Sequence, residues 1–181
     1  MKTIGELIHL DADAEFRSDV QLDAIEKPHN LGLLRSHLFT SQAPTGSVSS
    51  IEILTTLIQT FTNAHLENRM IVIANYGHGK SHLALALANF FDKQGTSPEC
   101  QVLYEKIDQA IQNPAKSSAF RTFKTNNPRH LVLRLRGDVP GGIRSQFIRE
   151  IDRALAADPA LKDIQMPFWF QKAEAQLINV S

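Results

Sequence analysis

The chain contains one cysteine, Cys100, so no internal disulfide framework can hold it together. It has no apolar run approaching the roughly 18–20 residues that cross a bilayer, which gives the membrane no obvious role in this segment. The opening Met-Lys-Thr-Ile-Gly-Glu lacks the long apolar core of a signal peptide. A reducing cytoplasm is the expected location. Repeats and low-complexity tracts are also missing, and formal net charge is zero. What remains is ordinary globular composition: 181 residues, 43% hydrophobic and 21% charged, enough for one domain with a sizeable core.

The neutral total hides a polarised chain. Residues 1–68 carry four Lys/Arg against nine Asp/Glu, while 69–181 carry fifteen against ten. Within the second half, Lys116, Arg121, Lys124, Arg129, Arg134 and Arg136 follow one another with no intervening acid. Such a run can follow the phosphates of DNA or another polyanion, and it can equally be a solvated face. At the other end, Asp11, Asp13 and Glu15 imitate the start of a calcium loop. The glycine and distal glutamate of such a loop are missing, so a solvated acidic segment is expected.

The most specific pattern is Met70 to Leu83, an apolar run entering a Gly-x-Gly-Lys-Ser turn that leaves into a helical pattern. Triphosphate oxygens must be met by several backbone N–H groups at once, and glycines permit the tight turn that does so. Residues Ala74, Asn75, Tyr76, Gly77, His78, Gly79, Lys80, Ser81 and His82 form the candidate site. Lys80 would place its ammonium on the terminal phosphates, and the Ser81 hydroxyl would complete a Mg²⁺ shell at a helix N-terminus. ATP or GTP with Mg²⁺ is the expected ligand, ATP the favoured one. Ala74 departs from the usual first glycine of Gly-x-x-x-x-Gly-Lys-Ser/Thr. The β-branched Ile71, Val72 and Ile73 suit a buried strand before the turn, and Leu83, Leu87, Phe90 and Phe91 a buried helix after it.

Elsewhere, Gln42 to Ser50 reads as a loop, and Ser49 with Glu52 as the capping box of a helix bearing Ile51, Leu54, Ile58 and Phe61. Ser97-Pro98 opens a second helix through Gln112, ended by Asn113-Pro114. Leu131 to Arg136 alternates like a strand, with Leu131, Leu133 and Leu135 on one face. Ile143 to Ala156 is helical, with Phe147, Ile148, Ile151 and Leu155 facing inward; Phe168 to Val180 suggests another helix. These elements predict an α/β, three-layer, AAA-like P-loop NTPase fold. Residues 1–68 would form an α-rich extension and 69–181 the nucleotide-binding domain. Only two strands, Met70–Ala74 and Leu131–Arg136, can be defended, so that domain is expected to be incomplete.

Hydrolysis ordinarily needs an acid at the end of a hydrophobic strand to position Mg²⁺ and water. Asp138 is the one candidate, and the arginines in Leu-Arg-Leu-Arg-Gly before it are foreign to a buried strand. Little hydrolysis is therefore expected. His78 and His82 lack the neighbouring glutamate of a His-Glu-x-x-His zinc site, and Cys100 has no surroundings that mark a nucleophile.

The order of parts, and above all Tyr76-Gly77-His78-Gly79-Lys80-Ser81-His82, resembles the large P-loop ATPases of BREX-type phage-defence systems, the BrxC and PglY group. There the loop commonly reads aromatic-Gly-Ser-Gly-Lys-Ser-His, with His78 standing here in place of serine. The resemblance implies the N-terminal part of a long ATPase acting with other defence-system proteins, its acidic hydrolysis motif lying beyond Ser181. A small phosphotransferase kinase and a non-hydrolysing, nucleotide-dependent scaffold are the rival readings of the same loop.

Overall fold

The computed structural model describes residues 20–63, 65–67, 69–75, 77, 79–135 and 142–157. Among them are a short 3-10 helix (Leu22–Glu26) and six α-helices: α1 (Asn30–Ser36), α2 (Ser50–Thr62), α3 (Lys80–Asp92), α4 (Pro98–Ile111), α5 (Pro114–Asn126) and α6 (Gly142–Ala157).

Local chemistry sets most of the boundaries. Ser49, in extended conformation, accepts the Glu52 N–H with its hydroxyl at the start of α2. Ser97 does the same for Cys100 at α4, with Pro98 occupying the first helical position, where its missing N–H costs nothing. Asn113 accepts from the N–H groups of both Ala115 and Lys116, and so caps α5. Gly79 opens α3 with no side-chain cap.

The chain divides into two compact units, residues 1–128 and 129–181. In the first, α3 packs against the 3-10 helix, α1 and α4, while α4 also meets α1, α2 and α5. Leu34, Leu54, Leu85, Phe90, Leu103 and Ile107 are fully buried among these helices. Phe90 lies at the centre of an aromatic cluster. It meets Phe91, Tyr104 and Phe120 edge-on at 5.3, 6.5 and 6.5 Å and stacks on Phe123 at 6.3 Å, geometries that the ring quadrupoles favour.

Two buried polar groups are tied into this core. Asn30 and Asn89 exchange side-chain hydrogen bonds at 2.8 and 3.1 Å, joining α1 to α3. Lys124 is 1% exposed; its ammonium donates to the Pro128 carbonyl at 2.8 Å and the Phe91 carbonyl at 3.4 Å. In the second unit, Glu150 on α6 accepts the Arg134 N–H at 3.2 Å and pairs with Arg153 at 3.0 Å.

The α/β expectation is overturned: the described residues contain helices and no strand or sheet. Neither expected strand has a ladder partner among them. A β-branched run favours a strand only where neighbours pair its N–H and C=O groups and cover its side chains. Ile71 and Ile73 are 85% and 89% exposed, so that cover is missing. In the second expected strand, Leu131 and Leu135 are exposed while the Arg134 side chain is held against Glu150, the reverse of an apolar inner face. Phe147 on α6 is likewise exposed rather than inward, whereas Gln146, Ile148 and Ala154 are buried. Helix α5 has no counterpart among the elements expected from sequence. The expected helix over Phe168–Val180 and the segment around Asp138 lie outside the described residues.

Candidate functional site

The turn before α3 is built on two left-handed glycines, Gly77 at φ 82° and Gly79 at φ 71°. A Cβ at either position would meet nothing within 4 Å, so the requirement for glycine comes from backbone angle and not from space. Gly79 serves as N-cap, and its carbonyl accepts the Leu83 N–H at 2.9 Å as the first turn closes. The N–H groups of Lys80, Ser81 and His82 therefore begin the helix without intrahelical acceptors. They stand where the helix dipole favours an anion.

Lys80 folds back across this turn. Its ammonium donates to the carbonyls of Ala74 at 2.8 Å and Asn75 at 2.7 Å. An ammonium has three donors and no acceptor, so after these two bonds one N–H remains for a further oxygen. The structure thus brings Ala74, Asn75, Gly77, Gly79 and Lys80 together around one turn, with Ser81 exposed on the first turn of the helix. Tyr76 and His78 lie outside the described residues. Asp138, the weak candidate for the hydrolytic acid, does so too.

His82 points elsewhere. Its Nε2 lies 2.9 Å from the Leu33 carbonyl and 3.4 Å from the Ser36 hydroxyl, so it fastens α3 to the last turn of α1. Beside it sits His37, which no sequence motif marks. The His37 ring is edge-on to Phe39 at 4.7 Å and tilted to His82 at 5.6 Å. Burial, reinforced by the neighbouring His82 and Lys106 charges, pulls its pKa down to about 4. The imidazole is therefore neutral at pH 7, and its buried Nε2 has no hydrogen-bond partner among the described residues. A lone histidine just past the end of α1 carries no sequence pattern, so only the packing of α1 against α3 exposes its position.

An open cleft of about 940 Å³ runs alongside the turn. Ala74, Gly79, Lys80, His82 and Leu83 line it together with residues 70–73 and residues between Ser36 and Thr56, Glu52 among them. Thr40 and Ser50 hold the base of the loop between them. Thr40 N–H donates to Ser50 Oγ at 2.7 Å, Ser50 N–H to Thr40 Oγ1 at 3.2 Å, and Ile51 N–H to the Thr40 carbonyl at 3.1 Å.

Several cations of the basic run from Lys116 are engaged within the chain. Arg121 forms a two-point pair with Asp108, which holds the Asp108 carboxyl below the usual carboxylate range, and it lies 4.9 Å from the Tyr104 ring centre. Lys124 is buried and Arg134 is held by Glu150; Lys116 is exposed. Arg136 lies outside the described residues. Cys100 is buried with its thiol 3.7 Å from the Lys93 carbonyl, and burial pushes its pKa up, the opposite of an activated nucleophile. Among the described residues no group of three or more His, Cys, Asp or Glu side chains could hold a metal ion, and no helix is long and apolar enough to cross a membrane.

No family model, no curated protein and no solved structure matches this chain.

Proposed function

We propose that the chain binds a nucleoside triphosphate, ATP in the first instance, with Mg²⁺ at the turn from Ala74 to His82. The observation that supports this most is the Lys80 ammonium, held by the Ala74 and Asn75 carbonyls across two left-handed glycines at the mouth of α3. Phosphate recognition of this kind is local. It draws on the orphan N–H groups of one helix start and one positioned cation, and an all-helical setting supplies both.

In this reading Lys80 contacts the terminal phosphate, the N–H groups of Lys80 to His82 meet phosphate oxygens, and the exposed Ser81 hydroxyl faces Mg²⁺. The resemblance of the loop to BREX-type ATPases extends the proposal to ATP-dependent phage defence with partner proteins. Hydrolysis is slow in this reading because Asp138 is the sole acid that the sequence offers at the end of an apolar run to position water, and arginines precede it.

Binding of a fluorescent ATP analogue, titrated with and without Mg²⁺, tests the assignment. Wild type should bind more tightly with Mg²⁺, and Ser81→Ala should lose most of that difference while still binding nucleotide. An Mg²⁺ dependence unchanged in Ser81→Ala would remove the serine from the metal shell.

A further inference from the structure

We infer that His82 carries ligand occupancy from the phosphate turn into α1, so that an anion bound at the start of α3 tightens the neighbouring helix Asn30–Ser36. This rests on the phosphate reading of the turn. The N–H groups of Lys80, Ser81 and His82 begin α3 without intrahelical acceptors and stand toward the anion. Their side chains go different ways. The Lys80 ammonium stays within the turn on the Ala74 and Asn75 carbonyls, and Ser81 is exposed. The His82 imidazole crosses to another helix, with Nε2 2.9 Å from the Leu33 carbonyl and 3.4 Å from the Ser36 hydroxyl. Because a carbonyl only accepts, Nε2 is the donor of the shorter bond. One residue thus offers its backbone to the ligand and its side chain to α1.

The bond sits at the end of α1 that has room to give. At its start α1 is anchored in the core, where Asn30 and Asn89, 3% and 0% exposed, exchange hydrogen bonds at 2.8 and 3.1 Å. At its end Ser36 is exposed and Leu33 half-buried. The His37 N–H there bonds to the Leu34 carbonyl at 3.2 Å, which leaves the Leu33 carbonyl to Ser36 Oγ at 2.8 Å and to His82. Exposed helix ends of this kind open first. When the end of α1 lifts away, the first turn of α3 loses this tie, and its three N–H groups lose the common aim that an anion requires. The anion consequently binds the tied arrangement better than the open one and shifts the population toward it. Coupling of this sort is reciprocal.

Hydrogen exchange of the full chain, followed by mass spectrometry over residues 30–37 with and without Mg-tripolyphosphate, tests the link. This probe has phosphates but no base or sugar, so protection of α1 by it has to travel through the turn. In wild type, saturation should slow exchange over 30–37 about 5-fold, the lower end of ordinary coupling between sites. At a concentration saturating for the variant, His82→Leu should lose that protection. His82→Gln, whose amide can again donate to the Leu33 carbonyl, should recover at least part of it. A role in helix packing alone would change exchange equally with and without the probe. Saturable binding to wild type without slower exchange over 30–37 would overturn the link and leave the phosphate reading intact. So would protection that survives in His82→Leu or is absent from His82→Gln. No binding to wild type would overturn both. Should His82→Leu lose its helical signal or its binding, His82→Asn, whose amide is too short to reach the position of Nε2, takes its place, and protection surviving there contradicts the inference.

Discussion

Gly79 is needed for its angle. At φ 71° an alanine Cβ would crowd its own backbone, yet would touch nothing else within 4 Å. Gly79→Ala should therefore cost about 1–2 kcal/mol, the ordinary penalty for a left-handed L-residue, measurable by urea unfolding; no change would mean that the turn relaxes freely. His37 gives a second residue-scale expectation. Its pKa is about 4 in the folded chain against 6.5 for the free side chain, so the unfolded state takes up the proton first. The stability due to the neutral, buried ring is complete above pH 6.5 and is lost as pH falls from there toward 4. Each tenfold change in proton affinity is worth about 1.4 kcal/mol, which puts the full loss on the order of 3–4 kcal/mol. Asp108, whose pKa is lowered by its bond to Arg121, makes its loss at lower pH. The unfolding free energy should thus fall between pH 7 and pH 5 in wild type and fall less in His37→Gln; equal slopes would place the titration elsewhere.

Helix ends are the legible part of the sequence, because their determinants lie within four residues of each other. Ser49 with Glu52 and Ser97-Pro98 predict starts that the structure places at Ser50 and Pro98. The Lys80 start also follows, from two glycines before an alanine-rich apolar run. Asn113-Pro114 carries the same N-cap and first-turn signal for α5. It passes for a mere stop because the residues after it are polar and basic, with Phe120 and Phe123 as sparse apolar marks. Strands are over-predicted for the complementary reason: Ile71-Val72-Ile73 specifies a preference, and a ladder depends on partners elsewhere in the chain. The Ser49 cap gives the element-scale expectation. Ser49→Ala should cost α2 about 1 kcal/mol, visible as a lower urea midpoint at unchanged slope, and an unchanged midpoint would mean that the Thr40–Ser50 bonds alone hold the helix start.

At the scale of the whole molecule, charge counting and packing give different answers. Six cations without an acid suggest a polyanion-binding surface, but Arg121, Lys124 and Arg134 are occupied by Asp108, backbone carbonyls and Glu150. Neutralising few phosphates gives weak binding with a shallow salt slope. Fluorescence anisotropy with duplex DNA should show no appreciable binding at about 150 mM salt, the physiological value, and tight binding with a steep log-linear slope would contradict this. The turn before α3, by contrast, is legible in residue types and spacing, since Gly77, Gly79, Lys80 and the Ala74 and Asn75 carbonyls that Lys80 meets lie within seven positions of one another. Its cleft is not, because His37, Leu38 and Val48 join it only when α1 and α2 pack beside α3. The central claim is that Lys80 holds a triphosphate at that turn. Titration calorimetry of wild type and Lys80→Ala with Mg-ATP tests it most directly. Saturable binding by wild type, weakened about 10- to 100-fold in the variant as expected for a lost charge-assisted contact, with helix content unchanged, is the predicted result; equal affinity in the two proteins, or no binding by wild type, would contradict it.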